Sequence, residues 1–236
     1  MQYIKNRRLR GVSLIEFTIV FPMAVLFIMT MIQLGLVYMA KLTVNHAAFM
    51  AARAGSMHNA NKSVMMNALI RGLNPLYQKV VDEKNDSKRL ALAAIEANIY
   101  ARLPGGVELE RLNPSAASFK DFAVHDPVAK VKYIPNDNLE WRDTVKIGAT
   151  SKQNIRDANL LKLRVVYGYD LKVPIMAGVI KRMMCGGSSG VATWGNVSYF
   201  DALYSPIDIK CLKYYMQDKI PIESVVTVEM QSRAEE

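Results

Sequence analysis

The sequence predicts an α+β protein in which one long N-terminal helix crosses a membrane and continues into a small domain with an antiparallel sheet. Three patterns support this: an uncharged apolar run, small residues at helical spacing after it, and later alternation with a period of two. The length of 236 residues suits one membrane anchor and one modest domain. We expect a leader at 1–11, a membrane helix at 12–40, its helical continuation at 41–60 and an extracytoplasmic domain at 61–236, with a cysteine-containing insertion at 174–221.

The membrane helix is predicted from the stretch between Phe17 and Ala40, which contains no charged residue. Its length of about 24 residues exceeds the roughly 20 that a helix needs to cross the hydrocarbon core of a bilayer. A buried core helix is a poorer interpretation at this length. A cleaved secretory signal has an apolar region of only about 7 to 15 residues. The small residues of Ala52-Arg53-Ala54, before Gly55, would suit a signal peptidase, but they lie well past the apolar run.

The charges on either side of the apolar run predict its orientation. Cations crowd its amino side, whereas few lie close to its carboxyl side, and loops that remain in the cytoplasm carry the excess of lysine and arginine. We therefore expect a cytoplasmic N-terminus and an external domain. The flanking cations are Lys5, Arg7, Arg8 and Arg10 before the run, and Lys41 and Arg53 after it.

Glu16 lies at the start of this apolar helix. A carboxylate at the centre of a membrane helix costs about 2.5 to 3.5 kcal/mol, and less near the interface. One interpretation is that the side chain extends to the headgroups. The other begins at Gly11: cleavage after this residue would create a new amine at Val12, with Glu16 as the fifth residue of the mature chain. The carboxylate could then pair with the terminal amine of a neighbouring subunit.

The stretch Arg10–Phe17 resembles the processing site of type IV pilins and pseudopilins, in which a prepilin peptidase cuts after the glycine. The wider stretch resembles TadE-like proteins, the minor pseudopilins of the tight-adherence (Flp) pilus system. Phe17 stands where the motif commonly has tyrosine, which removes a hydroxyl but keeps the ring. The narrower resemblance is carried by Glu16-Phe17, Pro22, Gly35, Tyr38, Asn45-His46-Ala47-Ala48 and Ala51-Ala52-Arg53-Ala54-Gly55.

This resemblance covers the first quarter of the chain and implies a pilin-like fold and a function in pilus assembly. The implied protein is a bacterial inner-membrane component that is cut after Gly11 and takes part in assembling or priming a tight-adherence pilus. It implies, as partners, the prepilin peptidase, other minor pseudopilins and the assembly platform, within a hetero-oligomer. Glu16 and Phe17 would contribute to assembly. The alternative is an uncleaved, signal-anchored periplasmic protein that binds a ligand or an envelope protein.

Cysteine content and charge further restrict the class of protein. Cys185 and Cys211 fall on the expected outer side, where an oxidising compartment permits a disulfide, although two free thiols remain the alternative. A bridge would stabilise the domain by roughly 3 to 4 kcal/mol. The net charge is +9, but without the leader 26 basic residues face 21 acidic ones. We therefore expect no nucleic-acid partner.

The remaining sequence predicts the elements of the domain. A helix capped by Asp86 or Ser87 has an apolar stripe, which we expect to lie on the core, and stops at Pro104-Gly105-Gly106. Period-two alternation predicts short strands after Gly106, a long strand from Leu161 to Val173, and a final strand that could pair antiparallel with it. The stripe consists of Leu92, Ile95, Ile99 and Leu103; the final strand is marked by Val226, Val228 and Met230.

No pattern in the sequence indicates catalysis. The three histidines, His46, His58 and His125, are far apart and lack the spacing of metal ligands. The glycine-rich stretch 186–190 is not followed by Lys-Ser or Lys-Thr, so it does not predict a phosphate-binding loop. We expect no enzyme activity, no metal and no cofactor.

Overall fold

The computed structural model describes residues 10–78, 85–128, 130–143, 145–173, 178, 213–214 and 217–236. Its first element is helix α1 (Arg10–Met57), which has 48 residues and includes Pro22. At a rise of about 1.5 Å per residue, such a helix is roughly 70 Å long. α1 is therefore long enough to cross a membrane and still extend along a domain beyond it.

Two further helices follow α1. Helix α2 (Lys62–Leu73) is capped by Asn61, whose side chain accepts a hydrogen bond from the backbone N–H of Ser63, and it ends in a 3-10 turn (Asn74–Leu76). Helix α3 (Asp86–Arg102) follows residues 79–84, which lie outside the description.

The structure corrects two details predicted for α3. Its cap is Asn85, which accepts from the N–H of Ser87, and not Asp86 or Ser87. Its apolar stripe faces outward, because α3 packs through Ala93 and Ala97 instead. We call the exposed stripe the outer ridge; its members are Leu92, Ile95, Ile99 and Leu103, all about half exposed or more.

The described part of the chain contains six strands and two further helices, arranged in two antiparallel sheets. The strands are β1 (Val107–Asn113), β2 (Val124–His125), β3 (Lys132–Ile134), β4 (Leu160–Asp170), β5 (Lys219–Glu229) and β6 (Ala234–Glu235); the helices are α4 (Ala116–Phe122) and α5 (Ile155–Ala158).

The main sheet has the order β1-β4-β5, and both pairings are antiparallel. Leu163 of β4 pairs with Val226 of β5, which confirms the predicted pairing of the two strongest strand patterns. β4 ends three residues earlier than predicted, at Asp170. β5 begins at Lys219 and contains Pro221, which is tolerated because β5 is an edge strand of this sheet.

The hydrophobic core lies between the main sheet and the second half of α1. Alternate β4 side chains face α1 and are buried, as period-two patterning requires, and α2 packs beside α1 over the same core. The fully buried β4 side chains are Leu161, Leu163 and Val165. The α+β class, with a long apolar helix followed by a small domain of antiparallel sheets, is confirmed.

A second, smaller sheet has the order β2-β3-β6 and was not predicted as a sheet. Helix α4 precedes it and starts with a capping box between Ser115 and Ser118. The Asp121 carboxylate of α4 accepts hydrogen bonds from the backbone N–H groups of Thr150 and Ser151. These hydrogen bonds hold the loop before α5 and lower the pKa of Asp121.

Candidate assembly and processing segment

The first half of α1 contains the predicted processing and assembly residues. Gly11 and Val12 lie within α1, and the side chains are described from Glu16 onward. Most side chains between Glu16 and Ile32 are exposed, although nearly all are apolar. In water such a surface would be unfavourable, so it indicates contact with lipid or with other helices. The most exposed large side chains include Phe17, Ile19, Phe21, Met23, Phe27 and Ile32.

Glu16 lies at the beginning of this apolar surface and is exposed. Among the described residues, none forms an ion pair or a hydrogen bond with its carboxylate. The side chain of Phe17 is 64% exposed and stacks on Phe21, with ring centroids 5.3 Å apart and an interplanar angle of 28°. Glu16 therefore presents a negative charge, beside an aromatic pair, to whatever surrounds α1.

The second half of α1 packs on the domain through small residues. The stripe predicted from helical spacing, Val44, Ala47, Ala48, Ala51 and Gly55, is buried. Small side chains allow neighbouring backbones to approach closely, and they do so at two points where α1 meets α2. A Cβ placed on Gly55 would lie 2.6 Å from Met65 Sδ, and one on Gly72 of α2 would lie 2.6 Å from the Cα of Ala47.

Two polar contacts attach α1 to the main sheet at positions of α1 that precede the buried stripe. Gln33 is buried, and its Oε1 accepts a hydrogen bond of 3.0 Å from the backbone N–H of Val173, just beyond β4. Lys41 donates from Nζ to the backbone carbonyl of Glu223 in β5. The contact of Gln33 could not be predicted from the sequence, because a lone glutamine in an apolar run shows no periodicity.

A cluster of three tyrosines joins the 3-10 turn, α3 and β4. The hydroxyls of Tyr77 and Tyr167 lie 2.9 Å apart, and the Tyr100 hydroxyl donates to the backbone carbonyl of Gly168. Burial raises the pKa of all three phenols, that of Tyr167 to about 12. These tyrosines are far apart in sequence and lie in different elements, so periodicity could not reveal that they meet.

The other predicted site residues are widely separated or lie outside the described ranges. Cys185 and Cys211 belong to the latter group, so the disulfide stays a prediction. His46, His58 and His125 lie on α1, at its end and on β2. Within the described residues, no group of three histidine, cysteine, aspartate or glutamate side chains could hold a metal ion. The first half of α1, which contains Gly11, Val12, Glu16 and Phe17, is therefore the candidate functional site.

Among the described residues, the part of α1 from Glu16 to Met57 is long and apolar enough to cross a bilayer. This is consistent with a single-pass membrane anchor. This part of α1 includes the predicted span of Phe17 to Ala40; its orientation stays a prediction.

Comparison with known proteins identifies the same part of the chain. Residues 11–53 match the family model described as TadE-like protein, whereas no curated protein and no solved structure matches. The matched stretch comprises the exposed first half of α1 and most of the alanine-rich half that packs on the domain. TadE-like proteins are structural components associated with the pilus. The resemblance seen in the sequence is thus confirmed: residues 11–53 carry the TadE-like signature, consistent with a TadE-like protein of the tight-adherence system.

Proposed function

We propose that this chain is a minor pseudopilin-like component that is cut after Gly11 and then takes part in assembling or priming a tight-adherence pilus. The proposal is carried by the environment of Glu16. This exposed carboxylate has no cationic partner among the described residues and lies at the start of an exposed apolar helix. A carboxylate in lipid is costly, and a cation from another chain would offset that cost. The new amine of Val12 on a neighbouring subunit is such a cation.

The exposed surface of α1 supports assembly by helix packing. Its first half has no covering element among the described residues, whereas its second half is held by the sheet and by α2. Helices of neighbouring subunits could cover this first half while each domain stays folded. The chain would then act by packing and not by catalysis, with the peptidase, other minor pseudopilins and the assembly platform as its partners in the inner membrane.

Cleavage is tested by replacing Gly11 with alanine in the full chain, expressed with its peptidase. The Gly11→Ala variant should accumulate as precursor, because the added methyl group changes the residue on the amino side of the cut. Gly35→Ala is the matched control, since a Cβ on Gly35 has no atom within 4 Å, and it should be processed normally. N-terminal sequencing of the native protein should begin at Val12; a mature chain that begins at Met1 would instead favour an uncleaved, anchored interaction protein.

The assembly charge is tested by comparing Glu16→Gln with Glu16→Asp. Both variants should insert into the membrane, but only Glu16→Asp keeps the charge that pairs with the amine. Glu16→Gln should reduce co-purification with the other pilus components and reduce piliation, and Glu16→Asp should retain more of both. Equal piliation in the native protein and in both variants would remove the role assigned to the carboxylate.

A further inference from the structure

The lower end of the domain is attached to α1 inside the stretch that the sequence assigns to the membrane. We define the basal segment as residues 171–173, which directly follow β4. Its last residue, Val173, is buried and donates its N–H to the side chain of Gln33, which is also buried. Gln33 precedes Ala40, the end of the predicted membrane helix, by seven positions.

Helix geometry gives the depth of this contact. At about 1.5 Å per residue, Gln33 lies roughly 24 Å along α1 from Phe17 and roughly 32 Å from Val12. The hydrocarbon core is about 30 Å thick, and the headgroup layers increase the total to about 40 to 45 Å. With Phe17 at the inner edge of the core Gln33 lies near its outer boundary, and with Val12 at that edge Gln33 lies in the outer headgroup layer.

The domain cannot move away from this depth without losing other contacts. β4 runs antiparallel to α1: its first part lies beside Gly55, and the residues after its end lie beside Gln33. Lys41, which lies between Gln33 and Gly55 on α1, donates a hydrogen bond to β5. The buried alanine stripe fills the same interface, so a shift along α1 would expose it.

We propose that the basal segment lies in the outer headgroup layer of the membrane and contacts lipid directly. Its chemistry suits that layer: Leu171 is partly exposed and apolar, and the exposed side chain of Lys172 carries a cation that can reach lipid phosphates. Gln33 satisfies the Val173 N–H, which would otherwise be buried without a partner. The inference rests on the membrane anchor of the proposed function.

The test measures the depth of single tryptophans in the full chain, reconstituted in vesicles of phosphatidylcholine and phosphatidylglycerol with spin labels on headgroups or acyl chains. The background is Trp141→Phe with Trp194→Phe. Lys172→Trp reports on the basal segment, and Lys162→Trp is the matched control, since it is another exposed lysine ten positions earlier. At about 3.3 Å per strand residue, the two positions differ in depth by up to roughly 33 Å. Phe27→Trp reports on the exposed apolar part of α1.

The tryptophan of Lys172→Trp should be quenched by headgroup labels, and its emission maximum should shift to shorter wavelength in vesicles. The tryptophan of Lys162→Trp should keep its fluorescence intensity. Phe27→Trp should lose fluorescence with acyl-chain labels. If Phe27→Trp is quenched but Lys172→Trp behaves like Lys162→Trp, the basal segment is not in the membrane, and this inference fails while the anchor remains. If Phe27→Trp is not quenched either, both the anchor and the inference are wrong.

Discussion

Helices α1 and α3 both carry a stripe of apolar residues at helical spacing, but the domain buries only one of the two. The stripe of α1 consists of small side chains such as Ala47 and Ala51, both fully buried. The outer ridge of α3 consists of leucines and isoleucines, and Leu92 is 56% exposed. The side of α3 that packs inward carries Ala93 and Ala97.

Both helices therefore contact the domain largely through alanine, and the leucines and isoleucines of the outer ridge face away from it. For α1 the physical reason is distance: α1 and α2 approach so closely that even a methyl group on Gly72 would clash with the backbone of Ala47. Dense packing at that distance leaves room only for small side chains. The size of the side chains, and not their hydrophobicity alone, distinguishes the buried faces of these helices.

Among the variants that test side-chain size, the largest effect is expected for Ala47→Leu, which inserts a large side chain where α1 meets α2. The variant should lose about 3 kcal/mol of unfolding free energy, because overpacking forces the two backbones apart. Urea unfolding in detergent micelles, followed by circular dichroism, measures the loss. Asn45→Leu adds the same side chain to the exposed side of α1 and should leave the midpoint nearly unchanged. Equal midpoints for both variants would contradict the size argument.

A smaller loss is expected for Ala97→Leu on the inner face of α3. We expect about 2 kcal/mol, because α3 packs on fewer elements than α1 and can shift to relieve the clash. The matched control is Ala91→Leu, at an exposed position of the same helix. Unfolding of both variants should be compared under identical conditions. If Ala91→Leu were the more destabilising, the assignment of the two faces of α3 would be wrong.

Tyr167→Phe tests the polar attachment of α3 and the 3-10 turn to the sheet. Loss of the hydrogen bond to Tyr77 should cost about 1 kcal/mol at neutral pH. The raised pKa of Tyr167 means that the native domain keeps this phenol protonated above its ordinary pKa of about 10. Its contribution is therefore complete below about pH 10 and is lost as the pH rises toward about 12.

The variant should accordingly lose less stability than the native protein between pH 10 and pH 12. Unfolding midpoints at neutral and alkaline pH, together with the tyrosinate absorbance, measure this difference. Parallel loss in both proteins would show that Tyr167 does not contribute to the alkaline transition.

The smallest effect is expected for the outer ridge. Leu92→Gln and Ile95→Gln should each change the unfolding free energy by no more than about 0.5 kcal/mol, since both side chains are more than half exposed. Leu69→Gln in α2 provides the contrast, because that leucine is fully buried and its replacement should be severely destabilising. A large loss from either ridge variant would mean that the ridge is covered in the folded protein.

The elements that the sequence predicted well are those with strong periodic patterns. The apolar length of α1, its helical spacing beyond the apolar run and the alternation in β4 and β5 all led to elements that the structure contains. The small sheet was missed because its strands have only two or three residues, too few to show a period. The α3 stripe was assigned to the wrong face because periodicity identifies a stripe but not its partner.

For the candidate site, the sequence by itself determined the chemistry of the N-terminal segment: a glycine after basic residues, a carboxylate and an apolar helix. These features depend on residue types and on spacing along one helix. Only the tertiary structure decided where the domain attaches to that helix, because the bond between Gln33 and Val173 joins residues 140 positions apart. It also decided which face of α3 is buried, since that depends on the elements that pack beside α3, and a local sequence pattern does not identify them.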